Sequence, residues 1–195
     1  MFLGRDGLVP YLEVVIPKPW GYFAMKNAIW ESWEMVCGQY RNGRINSERT
    51  MQAFFFRFLQ DAVPDRTVLC EAGFEMAAIR AIPDILVIEA GKVVAAVELK
   101  FVPHGYPVFE DDLQKLAYYA KHTQSFPLTL DPLNGRFSSV QHNFAEDCLL
   151  VFGAIGRFDA DAVDSKRLQS HMVKMGEFGD RFMALTCPVG TKDAA

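Results

Sequence analysis

Pro83-Asp84-Ile85-Leu86-Val87-Ile88-Glu89-Ala90-Gly91-Lys92-Val93-Val94-Ala95-Ala96-Val97-Glu98-Leu99-Lys100 is the stretch whose reading decides the fold. Two apolar, β-branched runs, Ile82 to Ile88 and Val93 to Phe101, flank a Gly-containing turn, which predicts a β-hairpin. Asp84 opens the first run and Glu98 and Lys100 close the second, so the three charges gather at the end away from the turn. Glu98 and Lys100 are two positions apart and share a face of the sheet. Their neighbours are Val, Ile, Leu and Ala, which predicts a central strand covered on both faces. Pairing Glu89 with Val93 around a loop Ala90-Gly91-Lys92 sets Asp84 opposite Glu98. A two-residue Ala90-Gly91 turn puts them on opposite faces, because a one-residue slip inverts every side chain. The first register, or an equivalent one containing a bulge, is expected. Two carboxylates then meet in a poorly hydrated site, where desolvation and like charge both oppose ionisation. One lysine cannot neutralise both, whereas a hard divalent cation can.

Pro83-Asp84, a spacer of thirteen residues and Glu98-Leu99-Lys100 resemble the signature of the PD-(D/E)XK nuclease superfamily. The resemblance implies an α/β fold with a restriction endonuclease-like core: a mixed central β-sheet flanked by α-helices in the order αβββαβ. It implies a metal-dependent nuclease that hydrolyses DNA phosphodiester bonds. Asp84, Glu98 and the backbone carbonyl of Leu99 would hold Mg²⁺ or Mn²⁺, with Glu48 completing the shell. Lys100 would position the attacking water or neutralise charge in the transition state. DNA is the partner implied, acted on by a single chain, a homodimer or a larger DNA-processing complex.

Composition bounds this reading. The chain has 195 residues, 50% of them apolar and 23% charged, which fits one domain with a substantial core. A run long enough to span a membrane is missing from the sequence, and Met1 to Trp20 lacks the apolar centre of a signal peptide. Cys37, Cys70, Cys148 and Cys187 are widely spaced and read as buried free thiols of a reducing, cytoplasmic compartment. They and the four histidines lack metal-ligand spacing, which argues against zinc. The net charge of −4 does not advertise nucleic-acid binding. Arg41, Arg44, Arg49, Arg57 and Arg66 fall in one stretch, either a local basic face or a solvated helix surface.

Residues 1–45 form an N-terminal extension, with Leu12 to Ile16 a candidate edge strand and Gly21 to Tyr40 an amphipathic helix rich in aromatics. The core occupies residues 46–155. A helix from an Asn46-Ser47 cap to about Ala62 buries Met51, Phe55, Phe58, Leu59 and Ala62. Glu48 lies about 40° from the centre of that stripe. It either compensates the helix dipole or turns inward, where Gln52 would support it. Thr67 to Glu75 reads as a strand ahead of the hairpin, with Glu71 and Glu75 as reserve acids.

A turn-rich crossover then leads to a helix from about Phe109 to His122, with Phe109, Leu113, Leu116, Ala117 and Ala120 as its buried stripe. Gln114-Lys115-Leu116-Ala117-Tyr118 is similar to the Q-x-x-x-Y motif of the RecB-type exonuclease branch. That similarity implies Gln114 near the metal, orienting phosphate or water, with Tyr118 and Lys115 on the DNA. Lys115 also suits an i,i+4 pair with Asp111. Thr123 to Asp147 is a long loop or small hairpin, and Cys148 to Ile155 an apolar strand. Residues 156–195 add a helix from Asp159 to Met175, a strand from Arg181 to Cys187 and a disordered tail. The rival reading is a catalytically silent nuclease-fold module, serving as a binding or assembly partner in a DNA-repair, restriction or phage-defence complex. A further rival is an unrelated α/β protein.

Overall fold

The structure, a computed structural model, describes residues 20–76, 79–104, 109–122, 124–131, 136–156 and 175–188. The candidate strand Leu12 to Ile16, nearly all of the helix expected over Asp159 to Met175 and the tail beyond Pro188 lie outside them.

Two helices come first among the described residues. Helix α1 (Trp20–Arg41) matches the aromatic, helically spaced stretch, and α2 (Glu48–Ala62) starts where Ser47 accepts the Thr50 N–H, an N-cap bond that satisfies one orphan donor of the first turn. Met51, Phe55 and Leu59 of α2 are fully buried, while Ala62 is exposed because the helix ends as the chain turns away.

The strands are β1 (Thr67–Cys70), β2 (Gly73–Met76), β3 (Ile79–Ala81), β4 (Ile85–Glu89) and β5 (Lys92–Val102). Helix α3 (Glu110–Lys121) follows, then β6 (Phe126–Asp131), β7 (Arg136–Gly156), a 3₁₀ helix (Gly176–Arg181) and β8 (Phe182–Pro188). The result is a mixed α/β fold built on a curled sheet in the order β1-β4-β5-β7-β6-β2-β3, with β8 on the far half of β7. β4 runs antiparallel to β1 and β5, whereas β5, β7 and β8 are mutually parallel. The parallel β5–β7 step needs a crossover, and α3 lies within it.

Three expectations change here. The strand expected over Thr67 to Glu75 breaks at Glu71, whose φ of 50° no β-strand sustains, and β2 leaves to pair with β3 and β6. The apolar run from Ile82 enters the sheet only at Ile85, since Pro83 offers no N–H to a ladder. The region Thr123 to Asp147 resolves to the hairpin alternative: β6 pairs with the first half of β7, which continues without a break into the apolar strand expected from Cys148.

The hairpin register follows from two irregularities that cancel. Ala90 (φ 49°) and Gly91 (φ 81°) form a two-residue turn, pairing Glu89 with Lys92 and Ile88 with Val93. Carried on unchanged, that register would send Glu98 to the face opposite Asp84. A bulge at Val94 takes up one residue, and beyond it Val87 pairs with Ala95 and Ile85 with Val97. One step further sets Asp84 across from Glu98. The three-residue loop is thus replaced by the equivalent bulged form.

Both faces of the hairpin are covered. Ile85, Val87, Ala95, Val97 and Leu99 pack under α1 and α2 with Trp33 and Phe55. Leu86, Ile88, Val93 and Ala96 pack under α3 with Leu113, Leu116 and Tyr119. Glu98 belongs to the α3 face by parity, a carboxyl in line with the apolar residues beneath that helix.

Candidate functional site

β5 outruns β4. β4 begins at Ile85, opposite Val97, while β5 continues to Val102 with its other edge paired to β7 throughout. The N–H groups of residues 99 and 101 on the open edge therefore need partners. Two carboxylates supply them. Asp84 Oδ2 accepts the Leu99 N–H at 2.6 Å, and Glu48 Oε2 accepts the Phe101 N–H at 3.0 Å. The N–H and C=O of a strand residue point to the same side, so the Leu99 carbonyl faces this gap too.

The backbone of Asp84 is pinned from two directions. Its carbonyl accepts the Glu71 N–H at 3.1 Å and the side-chain amide of buried Gln52 at 2.9 Å. Gln52 therefore supports Asp84, not Glu48 as its position one turn along α2 suggested. Glu48 itself is exposed: its proximity to Asp84 is felt as charge repulsion, and its inward turn goes no further than the Phe101 N–H.

Glu98 is 2% exposed. Its Oε1 accepts the Tyr119 hydroxyl at 3.0 Å and its Oε2 accepts from Lys115 Nζ at 3.3 Å. Asp112, also buried, bridges two ammonium groups: Lys115 Nζ at 3.1 Å and Lys100 Nζ at 3.1 Å. The cation on Glu98 is therefore Lys115, and Lys100, expected beside Glu98, is drawn to Asp112. Lys115 departs from the i,i+4 pairing with Asp111, because Asp112 one position on faces the interior and Asp111 faces solvent.

Burial pushes the Glu98 carboxyl up to about 8, and the charge of Asp84 adds to it; Lys115 and the Tyr119 hydroxyl only partly offset these. Burial raises Asp84 to about 6, against the stabilising Leu99 N–H and with the repulsion of Glu48. Lys115 is held above its ordinary range: burial opposes its charge, but Glu98 and Asp112 outweigh burial. The Tyr119 hydroxyl is raised by burial and by the Glu98 carboxylate.

Of the four carboxyls, Glu98 and Asp112 bond to the ammonium groups of Lys115 and Lys100, whereas Asp84 and Glu48 bond to backbone N–H groups; ionising all four would outnumber those two ammonium groups. Among the described residues, no group of three or more His, Cys, Asp or Glu side chains is drawn together closely enough to hold a metal ion. The available donors are all oxygens, namely the Asp84 and Glu98 carboxyls and the Leu99 carbonyl, a set that suits a hard divalent cation completed by water or phosphate oxygens.

Gln114 and Tyr118 do not reach the acid pair. Gln114 is exposed, and the two line a neighbouring cleft with Ile82 and Lys115. The α3 side chains on the acids are Asp112, Lys115 and Tyr119. Lys115 and Tyr119 keep the four-residue spacing of the motif one position later than it was read. The signal for Asp112 and Tyr119 was their i,i+4,i+7 spacing with Leu116, which marks them as inward-facing.

Comparison with protein-family models, curated proteins and solved structures yields no match for this chain. Among the described residues, no helix is long and apolar enough to cross a membrane.

Proposed function

We propose that the protein is a metal-dependent nuclease hydrolysing DNA phosphodiester bonds at the open end of the β4–β5 hairpin. The observation that carries this reading is the juxtaposition of Asp84 and Glu98, two desolvated carboxyls with raised pKa values, where among the described residues one ammonium group, Lys115, bonds to Glu98 and none to Asp84. The order α2, β1, β4, β5, α3, β7 supports a restriction endonuclease-like αβββαβ core, with β2–β3 and β6 as insertions.

Asp84, Glu98 and the Leu99 carbonyl would hold Mg²⁺ or Mn²⁺, with Glu48 at the rim. When bound, such an ion supplies Lewis acidity toward phosphate and lowers the pKa of a bound water. The chain's own residues do the remaining work. Gln52 and the Leu99 N–H fix Asp84 in place. Tyr119 fixes Glu98, and Asp112 holds Lys100 and Lys115 as a fork of positive charge beside the place where phosphate charge builds.

Asp84→Ala and Glu98→Ala are each expected to lower Mn²⁺-dependent cleavage of a mixed DNA panel by at least about a thousandfold, with unchanged circular dichroism. Full activity in both variants would refute the assignment. The silent-module reading draws on one specific observation, that Lys115 and Tyr119 already occupy both oxygens of Glu98. It predicts no cleavage of any DNA form, with or without Mn²⁺ binding by calorimetry.

A further inference from the structure

We propose that the cleft between Ile82 and Tyr118 receives an unpaired nucleobase beside the phosphate at the acid pair, so that the substrate is single-stranded DNA or an unpaired DNA end. This rests on the nuclease reading and adds the class of substrate to it.

The cleft holds about 350 Å³ and is lined by Ala81, Ile82, Asp111, Gln114, Lys115, Tyr118 and Tyr119, a size at the small end of ligand pockets; its one carboxylate, Asp111, faces solvent at the helix start. It shares two side chains with the acid site, since Lys115 and Tyr119 are the partners of Glu98. From the other wall, Ile82 stands two residues before Asp84. A group seated in the cleft is therefore one nucleotide's reach from the carboxyls, with Lys115 at the seam where a backbone phosphate would pass.

The chemistry of the walls suits a base. Ile82 leaves 43% of its surface exposed on the approach to a buried strand. Tyr118 is steadied by its ring contact with His122, centroids 6.4 Å apart. An apolar wall facing an aromatic one, with the Gln114 amide beside them, offers stacking plus a hydrogen-bonding group and discriminates little between bases. A base inside a duplex cannot enter such a cleft without being extruded from its stack.

Charge points the same way. Duplex binding draws on phosphate neutralisation by many Lys and Arg, and this chain carries a net charge of −4. Single-strand binding shifts the load to stacking, which this cleft supplies.

The test pairs binding with cleavage. Fluorescence anisotropy in EDTA compares a labelled oligothymidylate with a labelled, covalently closed, relaxed circular duplex, which has neither ends nor loops, and cleavage in Mn²⁺ compares the same two forms. The single strand is expected to bind and react at least about tenfold better. Tyr118→Ala is expected to lose about tenfold in single-strand affinity, and Tyr118→Phe to retain it. An abasic position walked along the strand is expected to suppress cutting at one fixed distance from the scissile bond. That last readout needs no protein variant.

Equal handling of both DNA forms, or indifference to Tyr118→Ala in a folded variant, overturns the cleft. Tyr118-dependent single-strand binding with no cleavage of any DNA overturns the nuclease reading and keeps the cleft. Cleavage that ignores strandedness and Tyr118 does the reverse. Absence of single-strand binding in the unmodified protein overturns the cleft outright.

Discussion

The two ends of one hairpin treat their charges in opposite ways. At the turn end, Arg66 meets Glu89 through two contacts of 3.2 Å, Lys92 is exposed, and the surroundings are a mixed-sign cavity of about 790 Å³ that also includes Glu146 and Asp147. Glu89 keeps half its side chain in water, and pairs of that kind contribute about 0–1 kcal/mol. At the open end, Glu98 is buried, Asp84 partly so, and both carboxyls are pushed toward neutrality. Both ends set carboxylates and cations on or beside the same two strands. What separates the ends is cover: α3 closes over Glu98, whereas Glu89 is exposed among the described residues. The larger cavity is therefore the poorer candidate, since Arg66 and Glu89 pair with each other and Glu89 and Lys92 are open to solvent.

This contrast has a pH signature. A carboxyl whose pKa is raised on folding contributes stability that is complete below its ordinary value and is lost as pH rises through the folded value. With Glu98 at about 8 and Asp84 at about 6, the metal-free protein is expected to lose on the order of a few kcal/mol between pH 5 and pH 8 or so. Urea unfolding in EDTA across that range measures it. Glu98→Gln should remove the larger part of the slope, leaving the part below about pH 6 that belongs to Asp84. A slope undiminished in Glu98→Gln would mean that burial of Glu98 does not set the open end apart.

The hairpin, its covered faces and the meeting of Asp84 with Glu98 were legible in the sequence because strand alternation and turn chemistry are local signals. The bulge was foreseen only as an alternative, since nothing in Val93-Val94-Ala95 distinguishes the residue that steps out. The α3 contribution was read one position out of phase. Motif spacing drew attention to Gln114 and Tyr118, whereas the residues that meet the acids are buried Asp112 and Tyr119 and half-exposed Lys115. A charged residue on a buried stripe contradicts the pattern used to find the stripe, so Asp112 was passed over. The pairing of Lys100 with Asp112 depends on how α3 settles on β5, a tertiary fact with no sequence signature.

The open end is also the more tightly built, which a core substitution can test. Gly153 pairs with Leu99, and a Cβ there would stand 2.9 Å from both Leu99 Cδ2 and Trp33 Cζ3. Neither can retreat, because Trp33 packs edge-on against Phe55 at 5.9 Å and all three side chains are buried. Gly153→Ala is expected to destabilise the protein by about 1–3 kcal/mol through overpacking, read as a lower Tm. It should also shift Leu99, whose N–H anchors Asp84, so Mn²⁺ affinity by calorimetry is expected to fall with it. Lost stability with unchanged affinity would detach the packing from the site.

The smallest effect belongs to the turn. Ala90 sits at φ 49° beside Gly91 at φ 81°, a pair of left-handed conformations that the two-residue hairpin turn requires and that asparagine tolerates better than alanine. Ala90→Asn is expected to stabilise by about 0.5–1 kcal/mol, measured by urea unfolding, and to leave metal affinity untouched. The reason is the bulge. Because Val94 absorbs the residue that separates the turn register from the register at Asp84, easing strain at the turn should not propagate past it. If Ala90→Asn instead weakens metal binding, the bulge is not a buffer and the register at Asp84 is set from the turn.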